Sequence, residues 1–162
     1  MNINDMTIGG LLAGIGALLQ LVPVFFSEIF IFTTPLSAFP IYFAAKKNIK
    51  MGFVVYICTA LLVSIFSLHE ALFFAFTNGI IGLSLGLARH KTGKKLFAGL
   101  FGAFVLTCSL CFINFLLGIP VFGTQLPGPI IYQIIFIFLF SFIYDTIFIF
   151  LADYLNKFLN KK

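Results

Sequence analysis

Polar residues are sparse and clustered along this chain, and the intervals between the clusters read as six apolar runs. Met6 to Phe26 is the first, closed by Ser27-Glu28. Ile29 to Ala45 is the second, closed by Lys46, Lys47 and Lys50. Met51 to Ser67 is the third, and Leu68-His69-Glu70 turns the chain into the fourth, Ala71 to Ala88. The basic cluster Arg89-His90-Lys91-Thr92-Gly93-Lys94-Lys95 leads to the fifth, Leu96 to Gly118. Ile119 to Pro129 holds three Pro and two Gly and reads as a loop. Ile130 to Leu155 is the sixth, trailing into Asn156, Lys157, Lys161 and Lys162. A spanning helix takes about 20 predominantly apolar residues, within about 17 to 25. The pattern therefore predicts an all-α membrane protein, a compact bundle of six transmembrane helices in which residues 1–162 form a single domain.

Composition removes the other classes. The chain is 61% hydrophobic and 9% charged, with mean hydropathy +1.14, where soluble domains carry about 25% charged residues. The same wealth of aromatic and aliphatic side chains excludes disorder. All ten Lys and Arg fall in the second loop, the fourth loop or the C-terminal tail. Basic residues near span ends are retained in the cytoplasm, so the expectation is a multi-pass protein of the cell membrane with both termini cytoplasmic. The net charge of +5 then describes a cytoplasmic rim facing anionic lipid or an acidic partner, and does not imply nucleic acid. Without a basic n-region or a small-residue cleavage site, the first run reads as a retained span. No soluble nucleotide-binding or catalytic domain is expected, so energy for transport would come from a partner or an ion gradient.

Cysteines and small residues add local detail. Cys58, Cys108 and Cys111 fall inside spans, which argues against a disulfide framework. Cys108-x-x-Cys111 has metal or redox spacing, but without a second ligand pair it reads as apolar filling on one helix. In the first span Gly9, Ala13 and Ala17 recur every four residues, as do Gly10 and Gly14. Gly82 with Gly86, and Gly99 with Ala103, repeat the device. Such stripes let another helix backbone approach closely. Packing inside the bundle accounts for one stripe per helix, and the double stripe of the first span suggests a further contact with another protein.

The remaining polar residues gather at the outer end. Glu28, His69 and Glu70 lie there, with Gln125 in the outer loop and Asn114, Tyr132 and Gln133 within a turn or two of it. Glu28 reads equally as a solvated turn residue. Glu70 reads either as a cap favoured by the helix dipole or as a charged contact beside an aromatic wall of Phe73, Phe74 and Phe76. With no basic residue on that side, a neutral or cationic ligand is favoured, and Phe and Tyr faces would add cation–π attraction. Asp145 lies midway along the sixth span and must face the bundle, on the side of Ser141 and Asp153. It is open to two readings, a proton or cation relay or a packing residue paired with Asn78.

The six spans, the N-in and C-in placement and the stripe Ala13-x-x-x-Ala17 resemble S components, the substrate-binding membrane subunits of energy-coupling factor (ECF) transporters. Thr34-Pro35-Leu36-Ser37-Ala38-Phe39-Pro40-Ile41-Tyr42 and Phe74-Ala75-Phe76-Thr77-Asn78-Gly79-Ile80-Ile81-Gly82-Leu83 resemble bacterial membrane proteins thought to share that fold. The resemblance implies a transmembrane coupling partner joined to two ATPase subunits. It implies docking on that partner through Ala13 and Ala17, extended by Gly9. It places a small-molecule substrate near the outer surface, a site that by location would include Glu28, Glu70, Phe74, Asn114, Gln125, Tyr132 and Gln133. Vitamin-binding members usually carry a Trp or a ligand signature; here there is no Trp and no such signature, which leaves the substrate open.

Two other classes compete. The same resemblance extends to a small six-span scaffold of the cell-shape machinery, which predicts stable partners and a filled interior. An independent ion-coupled transporter is the other. An enzyme is not expected, because no nucleophile–base pair, metal triad or phosphate loop is present, and Gly9 to Gly16 follows no strand. No cofactor or metal is expected.

Overall fold

Long apolar stretches free of internal turn chemistry wind into helices, and the polar clusters stop them. The computed structural model of the protein describes residues 3–123 and 128–159. Its helices are α1 (Ile3–Phe25), α2 (Ala38–Lys47), α3 (Ile49–Phe66), α4 (Leu68–Phe76), α5 (Asn78–Thr92), α6 (Lys95–Cys111) and α7 (Ile130–Leu159). A run of 3-10 turns, Glu28–Ser37, leads into α2, and a π-helical turn, Phe112–Leu116, ends α6. Joined across these irregularities, six segments are long and apolar enough to cross a membrane. The result is an all-α bundle, with no strand among the described residues.

The expected runs match these six segments, with two internal differences. The second span begins as 3-10 helix because Pro35 removes an amide donor and crowds the preceding turn. Hydroxyls stabilise the tighter winding there. Thr33 donates to Phe30 O and Thr34 to Ile31 O, both at 2.8 Å, and Ser37 donates to Thr34 O at 2.6 Å. The fourth span, expected as continuous from Ala71 to Ala88, is interrupted at Thr77 (φ −121°, ψ −93°). Side chains satisfy carbonyls around the interruption: Thr77 Oγ1 donates to Phe73 O, Tyr56 OH to Ala75 O at 3.1 Å, and Ser109 Oγ to Phe76 O. In hydrocarbon such partners are obligatory, since water is not there to replace them.

Helices α2 and α5 form the centre. Ile41, Tyr42, Ala45 and Leu85 are fully buried, and small residues let the two backbones meet. A Cβ on Gly86 would stand 2.6 Å from Ala45 Cβ and 2.8 Å from Tyr42 O, and one on Gly82 would run into Ala38 O. Helices α6 and α7 pack on one side of this centre, and α1 with α3 on the other. Large apolar side chains such as Leu11, Phe53, Phe104 and Ile147 face outward on every flank. In water they would form a patch far beyond that of a soluble monomer; acyl chains are a fitting solvent for them.

Gly9, Ala13 and Ala17 lie on the inward face of α1. Ala13 is 1% exposed, and Gly9 abuts Val55 and Met51 of α3. The stripe that the resemblance implies for docking packs against α3 here. The second stripe faces out, with no atom within 4 Å of a Cβ built on Gly10 or Gly14.

The two ends of the bundle differ in charge. At the basic end Lys47 bonds Asp5 at 2.8 Å, His90 Nδ1 meets Lys46 O at 2.9 Å, and Asp153 is gripped by Arg89 at 3.1 Å and Lys95 at 2.7 Å. These contacts tie α1 to α2, α2 to α5, and α7 to α5 and α6. Between the ends, Asp145 is fully buried and neither carboxyl oxygen has a partner among the described residues. It packs against Gly102 and does not pair with Asn78, whose amide reaches Gln20 instead. Ser141, one turn away, donates to its own Ile137 O.

Candidate functional site

At the end opposite the basic cluster, α1, the 3-10 segment and α4 part to leave a cleft of about 670 Å³. Gln20, Pro23 and Val24 of α1 line one wall, and Glu28, Ile31 and Thr34 a second. His69, Glu70 and Phe73 of α4 form the third, and Thr77 with Asn78 closes the floor. The volume lies within the range of small-molecule sites, about 300–1,000 Å³.

One buried amide organises the floor. Gln20 is 2% exposed. Its carbonyl accepts from Asn78 Nδ2 at 3.2 Å and lies 3.0 Å from Ser37 Oγ, whose one hydroxyl hydrogen is shared with the nearer Thr34 O, and its Nε2 donates to Glu70 Oε2 at 3.0 Å. The Asn78 donor on the carbonyl polarises the amide and strengthens the N–H bond that it gives to Glu70. The bond to a carboxylate is charge-assisted, so the Glu70 side chain is fixed rather than free to swing. Ser67 Oγ accepts from the Glu70 amide at 3.3 Å and caps α4. The glutamate thus begins a capped helix and also lines the cleft, so the two readings of its role are compatible.

The aromatic wall is Phe73, with the His69 ring 4.7 Å away and tilted at 58°. Phe74 points the other way. It is fully buried and stacks on Tyr56 at 6.2 Å. Glu28 is exposed at the mouth. Among the described residues no Lys or Arg lines the cleft.

The residues expected at the site therefore separate. Glu28 and Glu70 share the cleft. Phe74 lies behind it, with its neighbour Phe73 on the wall. Asn114 sits on the π turn, where Oδ1 accepts from Val121 N at 3.5 Å and closes the loop after α6. Tyr132 is 68% exposed on α7, and Gln133 Nε2 donates to Gly128 O at 2.9 Å. None of these three lines the cleft. Gln125 falls outside the described residues.

Gln20, Ser37 and Thr34 were not anticipated. The signal for Gln20 was present: a lone amide inside an apolar run needs a buried partner. What it could not reveal was which partner, because Ser37, Glu70 and Asn78 reach it from 17, 50 and 58 residues away. Among the described residues no group of three or more His, Cys, Asp or Glu is arranged to hold a metal ion. No family model, no curated protein and no solved structure matches the chain.

Proposed function

We propose that the protein is the substrate-specific membrane subunit of an ECF-type importer. It captures a small organic solute in the cleft and hands it on through a transmembrane coupler driven by two ATPases. The observation that carries this reading is the cleft itself, ligand-sized, walled by an aromatic ring and floored by a fixed polar relay. A scaffold has no use for such a cavity, and its interior would be filled. Retention of basic residues in the cytoplasm turns the basic end inward, so the cleft opens to the outside, as capture requires.

Energy is then supplied by the partner. Because Gly9, Ala13 and Ala17 are engaged with α3, the coupler would meet α1 on the outward face that carries Gly10 and Gly14. Purification of the tagged chain from native membranes tests the assembly: two ATPases and a multi-span coupler should accompany it. Gly14→Trp should release them while the subunit stays folded. Recovery of cell-wall proteins in their place would sink the importer reading in favour of the scaffold.

One observation favours a second reading, an ion-coupled transporter: the unpartnered Asp145 carboxyl at mid-span. That reading requires solute accumulation in proteoliposomes holding this chain alone and its loss in Asp145→Asn. The importer reading requires no accumulation without the coupler.

A further inference from the structure

We propose that the cleft selects an organic cation whose charged nitrogen bears N–H donors, a primary ammonium, guanidinium or amidinium group on a small apolar body. This rests on the cleft being the ligand site.

Hydrogen-bonding capacity in the cleft is concentrated on its carboxylates. The hydroxyls of Thr34 and Thr77 donate to carbonyls of their own segments, Ile31 and Phe73. Ser27 Oγ accepts from the Ile29 amide at 3.4 Å, which leaves its hydroxyl hydrogen, with a ring N–H of His69, as neutral donors. Gln20 and Asn78 each commit one of two amide hydrogens within the relay. Among the described residues Glu70 receives one hydrogen bond, on Oε2, although a carboxylate has about four acceptor positions, and Glu28, at the mouth, receives none. The charged groups left to be satisfied are these acceptors, and a ligand that donates satisfies them.

Charge points the same way. Among the described residues two carboxylates, the His69 imidazole and no Lys or Arg line the cleft, and Arg89 and Lys95 stand at the far end of the bundle. No Lys or Arg among the described residues pairs with Glu70, and its partner Gln20 is uncharged. An anion would meet repulsion from both acids, and a neutral solute would leave them without a counter-charge. A quaternary ammonium would satisfy the charge but none of the acceptors. It is recognised by several aromatic faces together, and here Phe73 is the one Phe on the wall.

Covalent access from inside the cleft tests this without knowledge of the natural ligand. Val24, on the wall and 45% exposed, is replaced by Cys after Cys58, Cys108 and Cys111 are changed to Ala. The variant, in nanodiscs of zwitterionic lipid, reacts with aminoethyl, trimethylammonioethyl or sulfonatoethyl methanethiosulfonate. Mass spectrometry gives rates, each normalised to that of a free small thiol. The aminoethyl reagent should outpace the sulfonate by about ten-fold or more, a preference that a carboxylate a few ångströms away can supply. The trimethylammonio reagent should fall between them, and Glu70→Gln should collapse the differences. Equal rates for cation and anion, or a faster anion, would overturn the cation inference while leaving the cleft accessible. Equal rates for the two cations would overturn the requirement for N–H donors. No modification by any reagent would remove the ligand site itself.

Discussion

The relay through Gln20 makes a prediction that can be worked out and then reversed. Gln20→Glu replaces the amide that donates to Glu70 with a second carboxylate at a buried position. It removes a 3.0 Å charge-assisted bond, a type contributing about 1.5–3 kcal/mol. It also sets two like charges at a separation where repulsion is about 4 kcal/mol for an effective dielectric near 20. Rotation of Glu70 into the open cleft relieves part of this, leaving an expected loss of about 2–4 kcal/mol. Glu70→Gln added to Gln20→Glu should then recover much of the loss. The amide at 70 donates to the carboxylate at 20, which still accepts from Asn78. The four proteins of the cycle are unfolded in mixed micelles of mild detergent and dodecyl sulfate. A coupling of about 2 kcal/mol is expected, against about 0.5 kcal/mol or less for residues that do not interact. A coupling at that lower level would refute the relay.

Gly82→Ala should lower stability by about 1–3 kcal/mol, because the new methyl meets Ala38 O and lies 3.0 Å from Ile41 Cβ. Gly14→Ala, with open space around it, should be neutral or stabilising by up to about 1 kcal/mol; equal losses in the same unfolding assay would contradict the packing. Arg89→Met should cost about 2 kcal/mol, since Arg89 and Asp153 are 11% and 13% exposed. Lys47→Met, whose lysine is 55% exposed, should cost less than about 1 kcal/mol and matter still less in high salt. Asp145→Ala removes a buried carboxyl with no hydrogen bond to lose, so thermal stability in detergent should stay within about 1 kcal/mol of wild type or rise; a large loss would reveal a hidden partner.

The bundle was legible from the sequence because its signal is redundant. Every apolar run is long, and Lys46, Arg89 and Lys95 mark the same end three times over. The site was legible only in part. Glu28 and Glu70 stand out as rare acids, and rarity alone draws attention to them. Phe73 and Phe74 are indistinguishable as letters; the face each takes depends on where α4 ends and how Tyr56 enters. The stripes of α1 posed the same problem. Two equivalent small-residue ridges one residue apart cannot both face α3, and the choice is made by the partners Met51, Val55 and Thr59. One of the two readings of Asp145 pairs it with Asn78 because both are polar and deep, but depth along the membrane normal says nothing about azimuth.

The interruption of the fourth span and the cleft are a single feature. Glu70 and Asn78 both touch the amide of Gln20, one at its nitrogen and one at its oxygen. On an unbroken helix, residues eight apart would be separated by about 12 Å along the axis and about 80° around it. The interruption at Thr77 lies between them, and Gly79 leaves room beside it: a Cβ there would stand 2.7 Å from the Tyr56 ring, whose hydroxyl holds Ala75 O. Tyr56, Ser109 and Thr77 therefore hold the interrupted turn that lies between Glu70 and Asn78. At the interruption Phe73 O accepts from the Thr77 amide and hydroxyl, and Ala75 O and Phe76 O accept from Tyr56 and Ser109, so side chains of other helices take over part of the hydrogen bonding of the broken turn.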